Sequence, residues 1–327
     1  MTVMNYVEAI NAALYEEMER DEKVFIIGED VGIKGGAFLA TKGLYETFGE
    51  ARVIDSPLAE SAIAGVGIGA AMYGMRPICE MQFADFILPA VNQIVSEAAK
   101  IRYRSNNDWS CPITIRAPYG GGVHGALYHS QSLEAMFAGT PGLRVVIPSS
   151  PRDAKSMLKA AIRSNDPVLY FEHKKAYRSL KEEVPEHEEV MDLTKAAVKK
   201  EGDDVTVITY GLCVQHALDA AKNVEKDGIS VHVLDLRSIY PMDREAIIEA
   251  TSKTGKVVLV TEDNKESSVL GEVAAIIGEE CLFQLDAPIQ RVCGPDTPAM
   301  PFAPVLEKHF LVNPDKIEKA LRQLAAF

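Results

Sequence analysis

The chain has 327 residues, too many for one ordinary domain and about right for two. With 47% hydrophobic and 25% charged residues it has a globular composition, and its net charge of −13 disfavours nucleic acid and anionic membranes and favours basic protein surfaces as partners. No basic-then-apolar leader opens it, and the longest uncharged run, 61–75, is too short to span a bilayer. Five cysteines (Cys79, Cys111, Cys213, Cys281, Cys293) form no CxxC pair and are odd in number. They read as reduced thiols of a cytoplasmic protein, not as a disulfide frame or a zinc site.

Val7, Ile10, Leu14 and Met18 recur at helical spacing and predict a helix ending near Asp21. A buried strand over 24–27 then runs into Gly28-Glu29-Asp30, and a short apolar strand, 52–54, follows. Helices are expected over 59–73, 84–103 and 153–163, between strands over 78–81, 113–115, 145–147 and 168–171. Such alternation implies parallel pairing with helices on both faces of the sheet. From 178 to 204 the pattern lapses into Glu-, Lys- and Pro-bearing sequence, which reads as a linker. A second series follows, with strands over 205–209, 231–236, 257–260 and 289–292 and helices over 214–224, 244–250, 271–277 and 315–324. The expected fold class is α/β: two parallel-sheet domains in series, 1–180 and 204–327, joined by 181–203.

Glu60 stands between the short strand and a helix built almost wholly of small residues, Ala62 to Ala71. A carboxylate there would be partly desolvated, which raises its pKa and lets it hold or pass on a proton near neutral pH. An acid in a first helical turn is also commonly a plain macrodipole partner, worth about 0.3–1 kcal/mol. Gly65, Gly67 and Ala70 match a dinucleotide-binding fingerprint, yet the preceding strand ends well upstream and Glu80 comes too early for the ribose acid. Gly65 and Gly69, one turn apart, instead suggest close approach of another helix. His129 follows the glycine-rich loop 119–125 after a strand, where ligands of parallel sheets collect. It is placed for proton transfer, whereas His124 reads as structural.

Several strings together carry a family resemblance. They are Val-Phe-Ile-Ile-Gly-Glu-Asp (24–30), Ser-Pro-Leu-Ala-Glu (56–60), Gln-Phe-Ala-Asp-Phe (82–86), His-Ser-Gln-Ser (129–132) and Leu-Asp-Leu-Arg-Ser-Ile-Tyr-Pro-Met-Asp (234–243). The chain resembles, over essentially its whole length, the β subunits of thiamine diphosphate-dependent 2-oxoacid dehydrogenases. The resemblance implies a transketolase-like pyrimidine-binding domain followed by a transketolase C-terminal-like domain. It also implies a catalytic role for Glu60, hydrogen-bonded to N1′ of the cofactor's aminopyrimidine. Protonation there drives the 4′-amino group to its imino form, which removes the thiazolium C2 proton. Glu29, Leu58, Ala59, Gln82 and Phe86 match positions around the pyrimidine. Phe86, Ile87, Leu88 and Pro89 approach the substrate pocket, and His129 matches the histidine facing substrate and the incoming lipoyl group. Carbonyls of Ile113, Thr114, Ala161, Ser164 and Asp166 match a K⁺ site of branched-chain relatives.

Enzymes of this kind hold the diphosphate and Mg²⁺ through a GDG motif and a later paired asparagine. Gly202-Asp203-Asp204 is the nearest approach, and Asn106-Asn107 lies upstream. The resemblance therefore implies an α subunit that supplies that half, in an α₂β₂ heterotetramer; the small-residue helix over 59–73, with Gly65 and Gly69 one turn apart, is a candidate contact. It further implies a lipoyl-bearing acyltransferase core, docked through its subunit-binding domain; the net charge of −13 and a C-terminal helix ending in Phe327 make Asp286 and the Phe327 carboxylate candidate contacts. Residues 103–105 and 125–129 with Gln82 look more like branched-chain enzymes. Phe86, where animal branched-chain enzymes carry tyrosine, leaves pyruvate or acetoin dehydrogenase as the alternative. A nucleotide-binding oxidoreductase and a non-catalytic assembly subunit are the readings from other classes.

Overall fold

A computed structural model describes residues 1–327. Contacts divide the chain into two compact units, Met1–Tyr119 with Met136–Leu193, and Gly120–Ala135 with Thr194–Phe327. The first unit carries β1 (Thr2–Asn5), β2 (Val24–Gly28), β3 (Val53–Asp55), β4 (Arg76–Glu80) and β5 (Thr114–Tyr119). β6 (Arg144–Val146), β7 (Val168–His173) and β8 (Lys181–Val184) complete it. Its main sheet runs β6-β7-β5-β4-β2-β3, and these strands pair in parallel throughout. β2, β4, β5 and β7 are almost wholly buried, as expected of parallel strands covered on both faces. β1 and β8 form a separate antiparallel pair.

The helix Tyr6–Arg20 begins with an Asn5–Glu8 capping box and buries Ile10, Leu14 and Met18. The helix Glu60–Met72 packs one face on the sheet. Gly67 makes that approach possible, because a Cβ there would collide with Cys79 Sγ and Ile113 Cδ1. Gly65 and Gly69, expected at a close helix contact, meet little within this chain: nothing nearer than Gln93 at 3.9 Å for Gly65, and nothing within 4 Å for Gly69. The expected single helix over 84–103 is instead a series of short pieces. It comprises 3₁₀ turns at Ala84–Phe86 and Leu88–Ala90, a wide turn at Asn92–Glu97, then Ala98–Lys100 and Ile101–Arg104. Pro89 has no amide to continue a regular helix.

The second unit contains β9 (Ala197–Lys200), β10 (Val205–Thr209), β11 (Val231–Asp235), β12 (Ser238–Tyr240), β13 (Val257–Asn264) and β14 (Gln290–Gly294). Its sheet runs β14-β13-β10-β11-β9, parallel except for the antiparallel edge strand β9. Helices Leu212–Val224 and Pro314–Ala325 bury Ala217, Val224, Ile317, Leu321 and Leu324 against the sheet's Val205, Val207, Val231, Val233, Val258 and Val260. The stretch 181–203, expected as a linker, is built into both units: β8 lies on β1, and β9 lies on β11. Both strands are short and carry lysine or glutamate, a composition suited to exposed edges.

Where β4 ends beside the middle of β5, and near the carboxyl end of β7, lies a fully buried ion cluster. Arg116 binds Glu172 at 2.6 and 2.8 Å and Glu80 at 2.5 Å, and Tyr177 Oη donates to Glu172 at 2.6 Å. The flanking carboxylates hold Arg116 charged, while burial keeps Glu80 above the usual carboxyl range despite Arg116 beside it. Arg116→Met would leave two buried carboxylates without their counter-ion. Urea unfolding should register a loss of about 3–5 kcal/mol, and a loss below about 1 kcal/mol would contradict the cluster's role.

Candidate functional site

Register fixes the level of the site. Gly28 of β2 lies opposite Asp55 of β3 and Glu80 of β4, so Glu29, Ser56 and Met81 leave the sheet together at its carboxyl edge. Glu29 is 3% exposed and neither carboxylate oxygen has a partner. Burial first, then the charges of Glu60 and Asp30, push its pKa up. Glu60 begins the helix Glu60–Met72 and is partly exposed, with Ala59 as its N-cap and no side chain capping that end. The Glu60 charge is near enough to act on Glu29, so this edge holds two acids, one buried and one partly exposed.

Past β4 the chain turns at Gln82, which is half-buried. The Phe86 ring packs edge-on against Phe83 at 5.6 Å, and Phe83 against Phe38 at 5.6 Å. Buried Lys174 lies 5.4 Å over the Phe83 ring and 3.9 Å from Asp85. This aromatic wall is braced from behind. In front of it Ile87 is buried, Leu88 and Pro89 are exposed, and Leu58 is 81% exposed. An exposed leucine at a strand end is an unused apolar contact surface. Glu29, Leu58, Ala59, Glu60, Gln82 and the segment 86–89 all belong to this one edge of the first unit. An unpaired buried acid beside a reachable acid and an aromatic wall fits an aminopyrimidine ring, which offers a nitrogen to protonate and a face to stack.

His129 belongs to the second unit, half-buried after a 3₁₀ turn at Ala126–Tyr128. Gly202-Asp203-Asp204 forms the turn into β10 and not a phosphate cradle. Asp203 N–H donates to Ser230 Oγ at 3.2 Å, Ser230 N–H donates to Asp204 Oδ2 at 2.7 Å, and Gly202 is pressed against the Val231 backbone. The expected K⁺ carbonyls gather near the end of the helix Pro151–Arg163, but several are engaged. Ala161 O accepts from Ser164 N, Ile113 O from Val168 N, Asp166 O from Ser164 Oγ, and Ser164 O from the Arg76 guanidinium at 3.0 Å. The Arg76 guanidinium would repel a cation at Ser164 O, while each of the other carbonyls keeps a second lone pair. Asp286 and Phe327 are exposed at the surface of the second unit.

Residues 2–179 match the family model for the transketolase pyrimidine binding domain, and residues 194–317 match that for the transketolase C-terminal domain. The chain is 72% identical to the 2-oxoisovalerate dehydrogenase subunit beta of Bacillus subtilis (strain 168), covering all 327 residues and all of that protein. The chain belongs to the β subunits of the 2-oxoacid dehydrogenases. It is also 45% identical, again over the whole of both chains, to the pyruvate dehydrogenase E1 component subunit beta of the same strain. A solved split-gene transketolase, titled an inactive beta4 tetramer, shares the fold. Its TM-score is 0.80 over 99% of this chain and 98% of that one, at 24% identity. Family membership makes the chain a component of a thiamine diphosphate-dependent oxidoreductase that works with an α subunit. No helix is long and apolar enough to cross a membrane.

Sequence reasoning passed over Glu134, Glu262 and Glu307, three buried acids of the second unit. Glu134 accepts from Tyr210 Oη at 2.9 Å through one oxygen, and its other oxygen has no partner. Burial first, then the charge of Asp263, pushes its pKa up to about 8. The folded state therefore keeps a proton that the unfolded chain has released above its ordinary carboxyl pKa. Stability attributable to this group is highest at low pH and falls as pH rises through the neutral range to about 8. Melting temperature should decline from pH 5.5 to 8.5, and the decline should be shallower in Glu134→Gln. Parallel curves for the two proteins would contradict the assignment.

Proposed function

We propose that this chain is the β half of a branched-chain 2-oxoacid dehydrogenase's decarboxylating component, acting on 2-oxoisovalerate and its homologues. The observation that carries the chemistry is Glu29, dry and unpaired, beside Glu60 at the mouth of the sheet. The 72% relative's name supports the substrate class, and the pyruvate enzyme's subunit stands well behind it at 45%.

When bound, thiamine diphosphate would supply a carbon nucleophile and an electron sink for decarboxylation of the 2-oxoacid. Glu60 holds a proton at N1′ of its aminopyrimidine. Burial and the charge of Glu60 raise the pKa of Glu29, so Glu29 keeps a proton more readily than an exposed carboxyl group does. Phe86 stacks against the pyrimidine and, with Phe83 and Phe38 behind it, keeps that face free of water. Ile87, Leu88 and Pro89 present an apolar wall to a branched aliphatic substrate, which gains affinity by burying its methyl groups there. His129 serves the acyl group's departure to a lipoyl arm.

The α subunit completes the site by holding the diphosphate and Mg²⁺, since the turn at 202–204 is committed to its own backbone. Two copies of each give an α₂β₂ assembly. The outward side of the helix Glu60–Met72, open at Gly69 and with Val66 53% exposed, is offered as a contact. The acyltransferase core docks on the second unit near exposed Asp286 and the Phe327 carboxylate, where a basic subunit-binding domain finds opposite charge.

Glu60→Gln keeps the shape of the side chain and removes its acidity. In the reconstituted αβ enzyme it should lower decarboxylation by about 10²–10⁴-fold while assembly persists. A turnover near that of the wild type would sink the role given to Glu60. The wild-type enzyme should also favour 3-methyl-2-oxobutanoate over pyruvate in kcat/KM by at least about tenfold, as the two extra methyl groups allow. The reverse preference would assign it to pyruvate.

A further inference from the structure

The loop 120–125 contains four glycines, and with residues 126–131 it forms the segment that carries His129. Its backbone takes left-handed φ values at Gly120, Gly122, His124 and Ala126. Such a run is held only where its amide groups find strong acceptors, because ordering each residue costs about 1–2 kcal/mol. Two buried carboxylates provide them. Glu262, on β13 and 8% exposed, accepts from Gly121 N–H at 2.6 Å. Glu307, on the helix Pro304–Phe310 and 3% exposed, accepts through one oxygen from both Gly122 N–H and His124 N–H at 3.2 Å. Its other oxygen lies 2.6 Å from His124 Nδ1.

The loop then folds back on the histidine. Gly120 N–H donates to Gln131 O at 3.1 Å, closing the segment at its base. Gly125 lies so close that a Cβ there would come within 2.5 Å of the His129 carbonyl oxygen and 2.8 Å of its Cβ. Beneath, Met300 and Leu311 fill the space a side chain on Gly121 would take. The position of His129 is thus transmitted from two acids through three backbone amides and one glycine contact. Buried carboxylates are costly unless fully hydrogen-bonded, so these acids and this backbone stabilise each other.

We infer that Glu262 and Glu307 are positioning residues for acyl transfer, latching the glycine loop so that His129 is presented in one fixed orientation. This rests on the reading that His129 serves transfer to the lipoyl group. Neither acid touches substrate in this account, and each acts through the backbone it holds. The acceptor oxygen, and not the charge, is the feature that matters most for Glu307, since it takes two amide protons at once.

The test uses the assembled αβ enzyme carrying Glu307→Ala, Glu307→Gln or His129→Ala. Amide hydrogen exchange of 120–131 is measured beside reductive acylation of a free lipoyl domain and decarboxylation with an artificial electron acceptor. Glu307→Ala should speed exchange at Gly122 and His124 by about tenfold or more, as loss of a hydrogen bond to a charged acceptor implies. It should lower acylation several-fold more than decarboxylation, and His129→Ala should show the same split. Glu307→Gln keeps an acceptor oxygen and should restore both exchange protection and most of the acylation rate. Should the alanine variant not assemble, Glu307→Asp, which draws the carboxylate back by one methylene, should give the same split in milder form. Normal acylation in Glu307→Ala or Glu307→Asp, with His129→Ala impaired, would overturn the latch and leave the histidine's role standing. Normal acylation in His129→Ala would remove that role, and the inference with it.

Discussion

Arg116 is the group on which the first unit's working edge depends. It is fully buried and joins Glu80 at the end of β4 to Glu172 near the end of β7. Parallel strands end independently unless something ties them, and here one guanidinium, held by two acids and by Tyr177 through Glu172, ties three. The segment from Met81 to Pro89 leaves the sheet directly after Glu80. Its first amide, Met81 N–H, donates to the carbonyl of Arg116 at 2.9 Å. The placement of Gln82 and Phe86 therefore follows from an ion cluster that touches no ligand itself. An arrangement of this kind contributes little net stability compared with an apolar core, but losing one partner leaves an uncompensated buried charge.

In front of this cluster stands an unfavourable feature. Glu29 is a buried acid with no hydrogen-bond partner, a state that costs free energy in an isolated chain. Buried polar groups left unsatisfied concentrate where a ligand or partner completes them. The second unit shows the opposite use of acids. Glu262 accepts from one backbone amide of a glycine-rich loop, and Glu307 accepts from two while its other oxygen meets His124 Nδ1.

Much of this was legible in the chain. The strand at 24–28 is an unbroken apolar run, those at 205–209 and 231–235 are rich in Val, Ile and Leu, and the helix at 6–20 shows four apolar residues at regular spacing. Glu60 stood out because a small-residue helix begins on it. The helix around 84–103 was overestimated: its apolar content is continuous, but Pro89 and a wide turn at Asn92–Glu97 interrupt the hydrogen-bond ladder. β8 and β9 were hidden by their lysines and glutamates, since an edge strand carries no apolar run. Gly67 was the glycine that packs on the sheet, although spacing drew attention to Gly65 and Gly69. Glu307 was illegible because its partners lie about 180 residues away, at separations of 185 and 183. Its seven-residue helix, opened by a proline, gives no periodicity to read.

The central claim is that this chain carries the aminopyrimidine half of a cofactor site and cannot hold the cofactor without its α partner. Calorimetric titration of thiamine diphosphate with Mg²⁺ into the β subunit alone, and into the αβ mixture, tests it directly. Saturable, Mg²⁺-dependent binding in the mixture and none in the β subunit alone is the predicted result. Tight Mg²⁺-dependent binding by the β subunit alone would contradict the account.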